Sequence, residues 1–217
     1  MKTRRAGVVT LSILVVATTA ALVASWRPSI VPIASPAASS FAEAEIAAGA
    51  RLAALGDCAV CHIGRDGQAY AGGSAVATPF GAIHATNITP DPDTGIGSWS
   101  LAAFRRAMTD GVARDGSHLY PAFPYNHFSM MGDDDIAALY AFLMTRRPVR
   151  ASALANHLGF PFNFRPLLAA GICCSPRIIR SGRTRRAATP GIAGPIWSRR
   201  SAIAARAIPR TMPWAAR

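Results

Sequence analysis

The sequence predicts an all-α domain of helices and long loops behind an N-terminal apolar segment. Three observations predict it. Apolar residues recur at helical spacing in three stretches between residues 41 and 150. The segments between those stretches are long and rich in glycine, proline and polar residues. An apolar run with cations only at its front opens the chain.

That opening run reads MKTRRAGVVTLSILVVATTAALVASW, with Lys2, Arg4 and Arg5 before residues 6–26 and no further charge until Arg27. It is long enough to cross a bilayer once, and the leading cations place that end in the cytoplasm, so the remainder of the chain is exported. Residues 1–26 are therefore a signal anchor or a cleaved signal peptide. The expected location is the periplasmic side of a bacterial inner membrane, single-pass anchored or exported. Residues 27–40, rich in Pro, Ser and Ala, read as an extended linker.

The first helical stretch, FAEAEIAAGARLAALGDCAVCH, begins where Ser40 and Glu43 have capping-box spacing and runs into a CxxCH motif. Residues 64–97 lack periodicity and read as a long loop, which compact domains rarely carry without a use. The second helix, SLAAFRRAMTDGV, aligns Leu101, Phe104 and Met108, leaving Arg105 and Arg106 as a solvated face. After another loop comes DDDIAALYAFLMTRR, with Ile136, Leu139, Tyr140 and Leu143 at i, i+3, i+4, i+7. Asp133, Asp134 and Asp135 suit its positive end, Arg146 and Arg147 its negative end, and Pro148 stops it.

The formal net charge is +12, which would suit a nucleic-acid binder, but ten of the 23 basic residues are arginines within residues 171–217, where there is no acid. The preceding 170 residues carry 13 bases against all 11 acids, so the basic character belongs to the tail and argues against nucleic acid as a partner.

The motif that carries chemistry is GDCAVCHIG, residues 56–64. C-x-x-C-H is the spacing of c-type haem attachment. Each thiol adds to one haem vinyl group, the sulfur bonding to one carbon and the hydrogen going to the other. Cys58 and Cys61 stand one helical turn apart, and His62 comes next to ligate the iron. A zinc site would need further ligands at metal spacing, and His84, His118 and His127 are scattered on loops, while Cys173 and Cys174 lie in the tail. A redox pair would want a βαβ context, which the pattern lacks.

Around this motif the segments GDCAVCH, TPFGAIHATNITPDPDTGIGSWS, DGSHLYPAFPYNHF, DDDIAALYAFLM and NHLGFPFNFRPL resemble the multihaem cytochrome c subunits of membrane-bound bacterial alcohol, gluconate and aldehyde-type dehydrogenases and of some molybdenum hydroxylases. The resemblance covers roughly residues 40–170. It implies a class I cytochrome c-like domain at 41–150 behind the transmembrane helix, with 151–170 a connector toward a second haem domain. It also implies an electron carrier rather than an enzyme: one haem c in this chain and more in a full-length relative. Its partners would be a dehydrogenase catalytic subunit, then quinone, a terminal oxidase or a soluble cytochrome, at the inner membrane.

Many relatives read Y-P-A-M-P-Y where this chain has Phe123, which cannot ligate iron. The distal candidates are therefore Met131, Met130 and His127. Methionine would raise the potential and a second histidine would lower it. Tyr120, Pro121 and Pro124 are expected at the distal wall. The D-x-D-x-G at 91–95 lacks a calcium loop's terminal Glu and reads as a turn. The sequon at Asn87 reads as part of the loop beside the haem. If no side chain fills the distal position, a haem enzyme or ligand sensor is the alternative function. A basic membrane- or nucleic-acid-binding protein would rest wholly on the tail.

Residues 171–217 have no amphipathic period and read as a disordered basic tail. Codons begun on the third base of each present codon can encode G-A-Y-L-V-E-x-L-G-H-C-G-x-C-H-T-P across residues 193–209, a second CxxCH out of frame. A one-base shift near Gly171, by sequencing error or truncation, would produce such a tail. Sequencing the DNA is expected to show T as the third base of the codons for Ile203 and Arg206; any other base there removes the out-of-frame motif.

Overall fold

Two helices meet where one of them has no side chain, and the domain is assembled around that crossing. In the computed structural model the described residues are 27–165, with short helical pieces of the opening run at 11–13, 15–16 and 19–20. Most of the expected anchor and all of residues 171–217, including Cys173 and Cys174, lie outside the described residues. Among the described residues no helix is long and apolar enough to cross a membrane.

The helices are α1 (Glu43–Leu55), a one-turn α2 (Cys58–Cys61), α3 (Leu101–Asp110), a one-turn α4 (Tyr125–Phe128) and α5 (Asp133–Met144). Eight residues of α5, from Ile136 and Ala138 on to Met144, are buried, so it is apolar almost all round, as the central helix of a core must be. In α1 only Gly49 and Ala53 are buried. A Cβ on Gly49 would lie 1.9 Å from the Ala138 carbonyl oxygen and 2.6 Å from Phe142 Cβ, so α1 and α5 touch backbone to backbone. Aromatic rings close the crossing: Tyr140 sits edge-on to Phe41 and tilted against Phe104, and its hydroxyl donates to the Trp99 carbonyl at 2.8 Å. Helix α3 is capped as its sequence asks. The Ser100 hydroxyl accepts from Ala103 N–H, and Gly111 ends it at φ 64°, the left-handed value glycine adopts freely. It buries Ala103, Phe104, Ala107 and Met108.

Several expectations are corrected. The domain is not all-α: β1 (Ala75–Thr78), β2 (Gly81–His84) and β3 (His157–Leu158) form an antiparallel sheet in that order. The strands are two to four residues long, too short to show alternation. The turn at Pro79 and Phe80 is held by the Thr78 hydroxyl, which donates to Gly81 O and accepts from Phe80 N–H. Through β3, part of the segment read as a connector belongs to the domain's own sheet. The capping box does not form. The Ser40 hydroxyl bonds back to Ala37 O in a 3₁₀ turn, and α1 starts after Ala42 without a side-chain cap. Helix α1 also stops before the motif, because Asp57 takes a left-handed φ of 52° and turns the chain into α2.

Residues 27–33 carry no regular secondary structure, as a linker should, but are not free. Ile30 N–H donates to Arg114 O and Ile33 N–H to Ser98 O. Arg106 is not a solvated charge either. Its guanidinium donates to Pro28 O at 2.7 Å, to Ala113 O at 2.6 Å and to Arg114 O at 3.0 Å. Arg105 does face outward, paired with Asp133 at 2.9 Å.

Gly49→Ala is expected to lower stability by roughly 1–3 kcal/mol, because the methyl meets a backbone carbonyl that cannot move aside, despite the ~1 kcal/mol that alanine gains in helix propensity. The midpoint of thermal unfolding checks this; a midpoint equal to or above the parent's would show that the helices can part at no cost.

Candidate cofactor site

The corner after α1 builds the site. The chain turns at Gly56 and Asp57, and α2 then supplies a single helical turn in which His62 N–H donates to Cys58 O at 3.0 Å. Residues three apart on a turn share a face, so the two thiols project together and His62 closes the turn. The cysteines are not joined to each other. Cys58 packs against the core cluster, and burial pushes its thiol up to about 11; Cys61 is exposed. Among the described residues no three His, Cys, Asp or Glu side chains gather where they could hold a metal ion.

His62 is fixed by a partner far along the chain. Its Nδ1 lies 2.6 Å from the Thr86 carbonyl oxygen. A carbonyl can only accept, so the proton sits on Nδ1 and the Nε2 lone pair is left for a metal. Burial holds the imidazole below the usual histidine range, partly offset by the Thr86 carbonyl, which keeps it in the neutral, ligating form. Gly72 makes this approach possible. Its N–H donates to His62 O at 2.9 Å, its φ is +75°, and a Cβ there would lie 2.4 Å from the Thr86 carbonyl carbon.

A buried knot anchors the stretch after Thr86. Asn87 is 3% and Thr89 0% exposed. The Asn87 amide donates to Val149 O and Thr94 Oγ1, and its oxygen accepts from the Thr89 N–H and hydroxyl. With its side-chain nitrogen committed and buried, Asn87 serves the fold and not glycosylation. Asp91 likewise holds its own turn, accepting from the Thr94 N–H and hydroxyl and from Asp93 N–H, contacts that hold its carboxyl below the usual range. These contacts close a turn at 91–95.

The segment holding the distal candidates lies beside the thiol corner. Phe128 Cε1 and Cys58 Sγ stand 3.4 and 3.5 Å from where a Cβ on Gly56 would be, and Phe123 stacks on Phe128. Met131 packs with Phe123, Phe128 and Cys58 against the core cluster. Met130 is 63% exposed, and His127 is exposed on α4. Tyr120 turns toward the C-terminal segment, its hydroxyl 3.4 Å from Phe162 O, while Pro121 and Pro124 are exposed. Two thiols on one turn, an imidazole with Nε2 free, and the exposed apolar side chains Leu55, Val60 and Ile63 beside them fit a covalently held haem. Sequence reading missed the Thr86 carbonyl, since any residue supplies one; its only signal is the glycine at 72.

Residues 46–147 match the family model for cytochrome c. The chain is 56% identical over 144 residues to a subunit of the nicotinate dehydrogenase of Pseudomonas putida, covering 66% of this chain and 12% of that protein. It is 44% identical over 135 residues to the fructose dehydrogenase cytochrome subunit of Gluconobacter japonicus, covering 61% and 28%. It is 44% identical over 124 residues to the cytochrome c subunit of the quinone alcohol dehydrogenase of Gluconobacter oxydans, covering 57% and 26%. The chain thus spans between 12% and 28% of the length of these relatives.

Gly72→Ala is expected to push the Thr86 carbonyl off His62, removing the acceptor that fixes the proton on Nδ1 and makes Nε2 more basic. The haem-loaded variant should then hold the iron with a weaker donor and show a higher reduction potential than the parent; an unchanged potential would remove the role given to the hydrogen bond.

Proposed function

We propose that the cytochrome c domain formed by residues 46–147 works as an electron carrier, taking electrons from the catalytic subunit of a dehydrogenase and passing them to a quinone, an oxidase or another cytochrome. The observation that carries this reading is the tethered imidazole of His62, beside two thiols on one turn. Haem c, when bound, supplies a one-electron iron couple. The chain's own residues do the rest: Cys58 and Cys61 hold the group covalently, His62 Nε2 ligates the iron, and Thr86 fixes the proton on Nδ1, which raises the basicity of the ligating nitrogen. Relatives named as cytochrome subunits of fructose and alcohol dehydrogenases support the direction of electron flow. In that arrangement substrate is oxidised on another subunit. The apolar run with its leading cations supports export to the periplasmic face of the inner membrane, by anchor or by cleaved leader.

For the sixth ligand we propose Met131. It is the one distal candidate that packs against the core cluster, as Cys58 also does, whereas Met130 and His127 face solvent. A thioether on the iron would favour the reduced state and a raised potential.

Expression with the c-type maturation machinery tests both parts. One haem per chain should survive denaturation, and a low-spin spectrum should appear on reduction. The Cys58→Ser, Cys61→Ser double variant should carry no covalent haem. Met131→Ala should turn the spectrum high-spin and lower the potential, while Met130→Ala and His127→Gln leave both unchanged. A parent that is already high-spin would favour the enzyme or sensor reading instead.

A further inference from the structure

The sheet holds a second pair of ligating side chains, away from the haem motif. His84 ends β2 and His157 begins β3. The register pairs Ala82 with His157, so His84 and His157 are diagonal neighbours on one face of an antiparallel ladder. Their ring centroids are 5.6 Å apart with planes at 75°. Nδ1 of His84 is buried and has no hydrogen-bond partner, although a buried ring nitrogen ordinarily finds one. Two imidazoles bound to one ion at about 2.0–2.1 Å hold their ring centres roughly 5–6 Å apart, the spacing seen here.

We propose that His84 and His157 form a binding site for a divalent transition-metal ion of the zinc–copper–nickel class, the ions that imidazole suits. No third His, Cys, Asp or Glu joins the pair among the described residues, so water fills the other coordination positions and the affinity is modest. The ion satisfies the orphaned nitrogen of His84 and bridges β2 to β3. That bridge has a mechanical use. β3 is two residues long, and its side-chain support at this end is a single hydrogen bond, from His84 N–H to Asn156 Oδ1 at 2.9 Å. An ion clamped between the strands fastens β3 to β2.

The test is a zinc titration of the haem-loaded full chain at roughly pH 7.5, above the ordinary histidine pKa of about 6.5, monitored by calorimetry and by the unfolding midpoint. One ion per chain is expected, with a midpoint that rises with zinc. His84→Gln and His157→Gln should each weaken binding more than about tenfold, since even a partner outside a coordination shell is worth that much; His118→Gln and His127→Gln should bind as the parent does. His157 is exposed, so His157→Gln folds and carries the test if His84→Gln does not, with the haem spectrum reporting folding. No stoichiometric binding, or binding that survives His157→Gln, overturns the site.

Discussion

The hydrogen bond from His62 to the Thr86 carbonyl is the constraint around which the rest of this domain is arranged. It decides which imidazole nitrogen is available, and it does so with a backbone atom 24 residues away. Most of the long loop exists to bring that carbonyl in. Gly72 removes the side chain that would block it. The buried Asn87 and Thr89, tied to Val149 just beyond α5, stop the stretch from drifting once it is there. A loop that looked unstructured in the sequence is the second wall of the ligand.

The apolar packing is uneven in a way that suits a cofactor. Helix α5 and the inner face of α3 are buried by protein alone, whereas α1 contributes only Gly49 and Ala53 to the interior. Leu55, Val60 and Ile63, which flank the thiols, are left 51%, 67% and 41% exposed. Apolar surface of this kind, next to covalent attachment points, is surface that a flat hydrophobic group would remove from water. The protein core therefore accounts for one side of the domain, and the group that Cys58, Cys61 and His62 would hold would complete the other.

What the sequence discloses here is what is local. The CxxCH, the apolar stripe of α3 and the long apolar run of α5 are written in neighbouring residues, and the two helices stand where the pattern puts them. What it hides is long-range and made by backbone. The strands are too short to alternate, and β3 joins the sheet from about 75 residues away. The partner of His62 is a carbonyl, which has no residue signature. Arg106 reads as a surface charge because charges usually seek water or acids, yet its partners are three carbonyl oxygens. Among the distal candidates the sequence offers three choices, and only burial separates Met131 from Met130 and His127.

The pinned segment at residues 27–33 changes how the domain can travel. A free chain of the length of residues 27–40 would wander over about 20 Å, as flexible linkers do at about 5–6 Å times the square root of their length. Here Arg106 and Arg114 grip the carbonyls of Pro28 and Ile30, and the backbone N–H groups of Ile30 and Ile33 are spoken for as well. The segment is wound onto the domain it leads into, so swivel and reach are lost over residues 28–33. Were residues 1–26 to anchor the chain as proposed, the domain would not swing like a bucket on a rope. It would sit like a stepping stone, and any partner would have to come within range of one fixed edge.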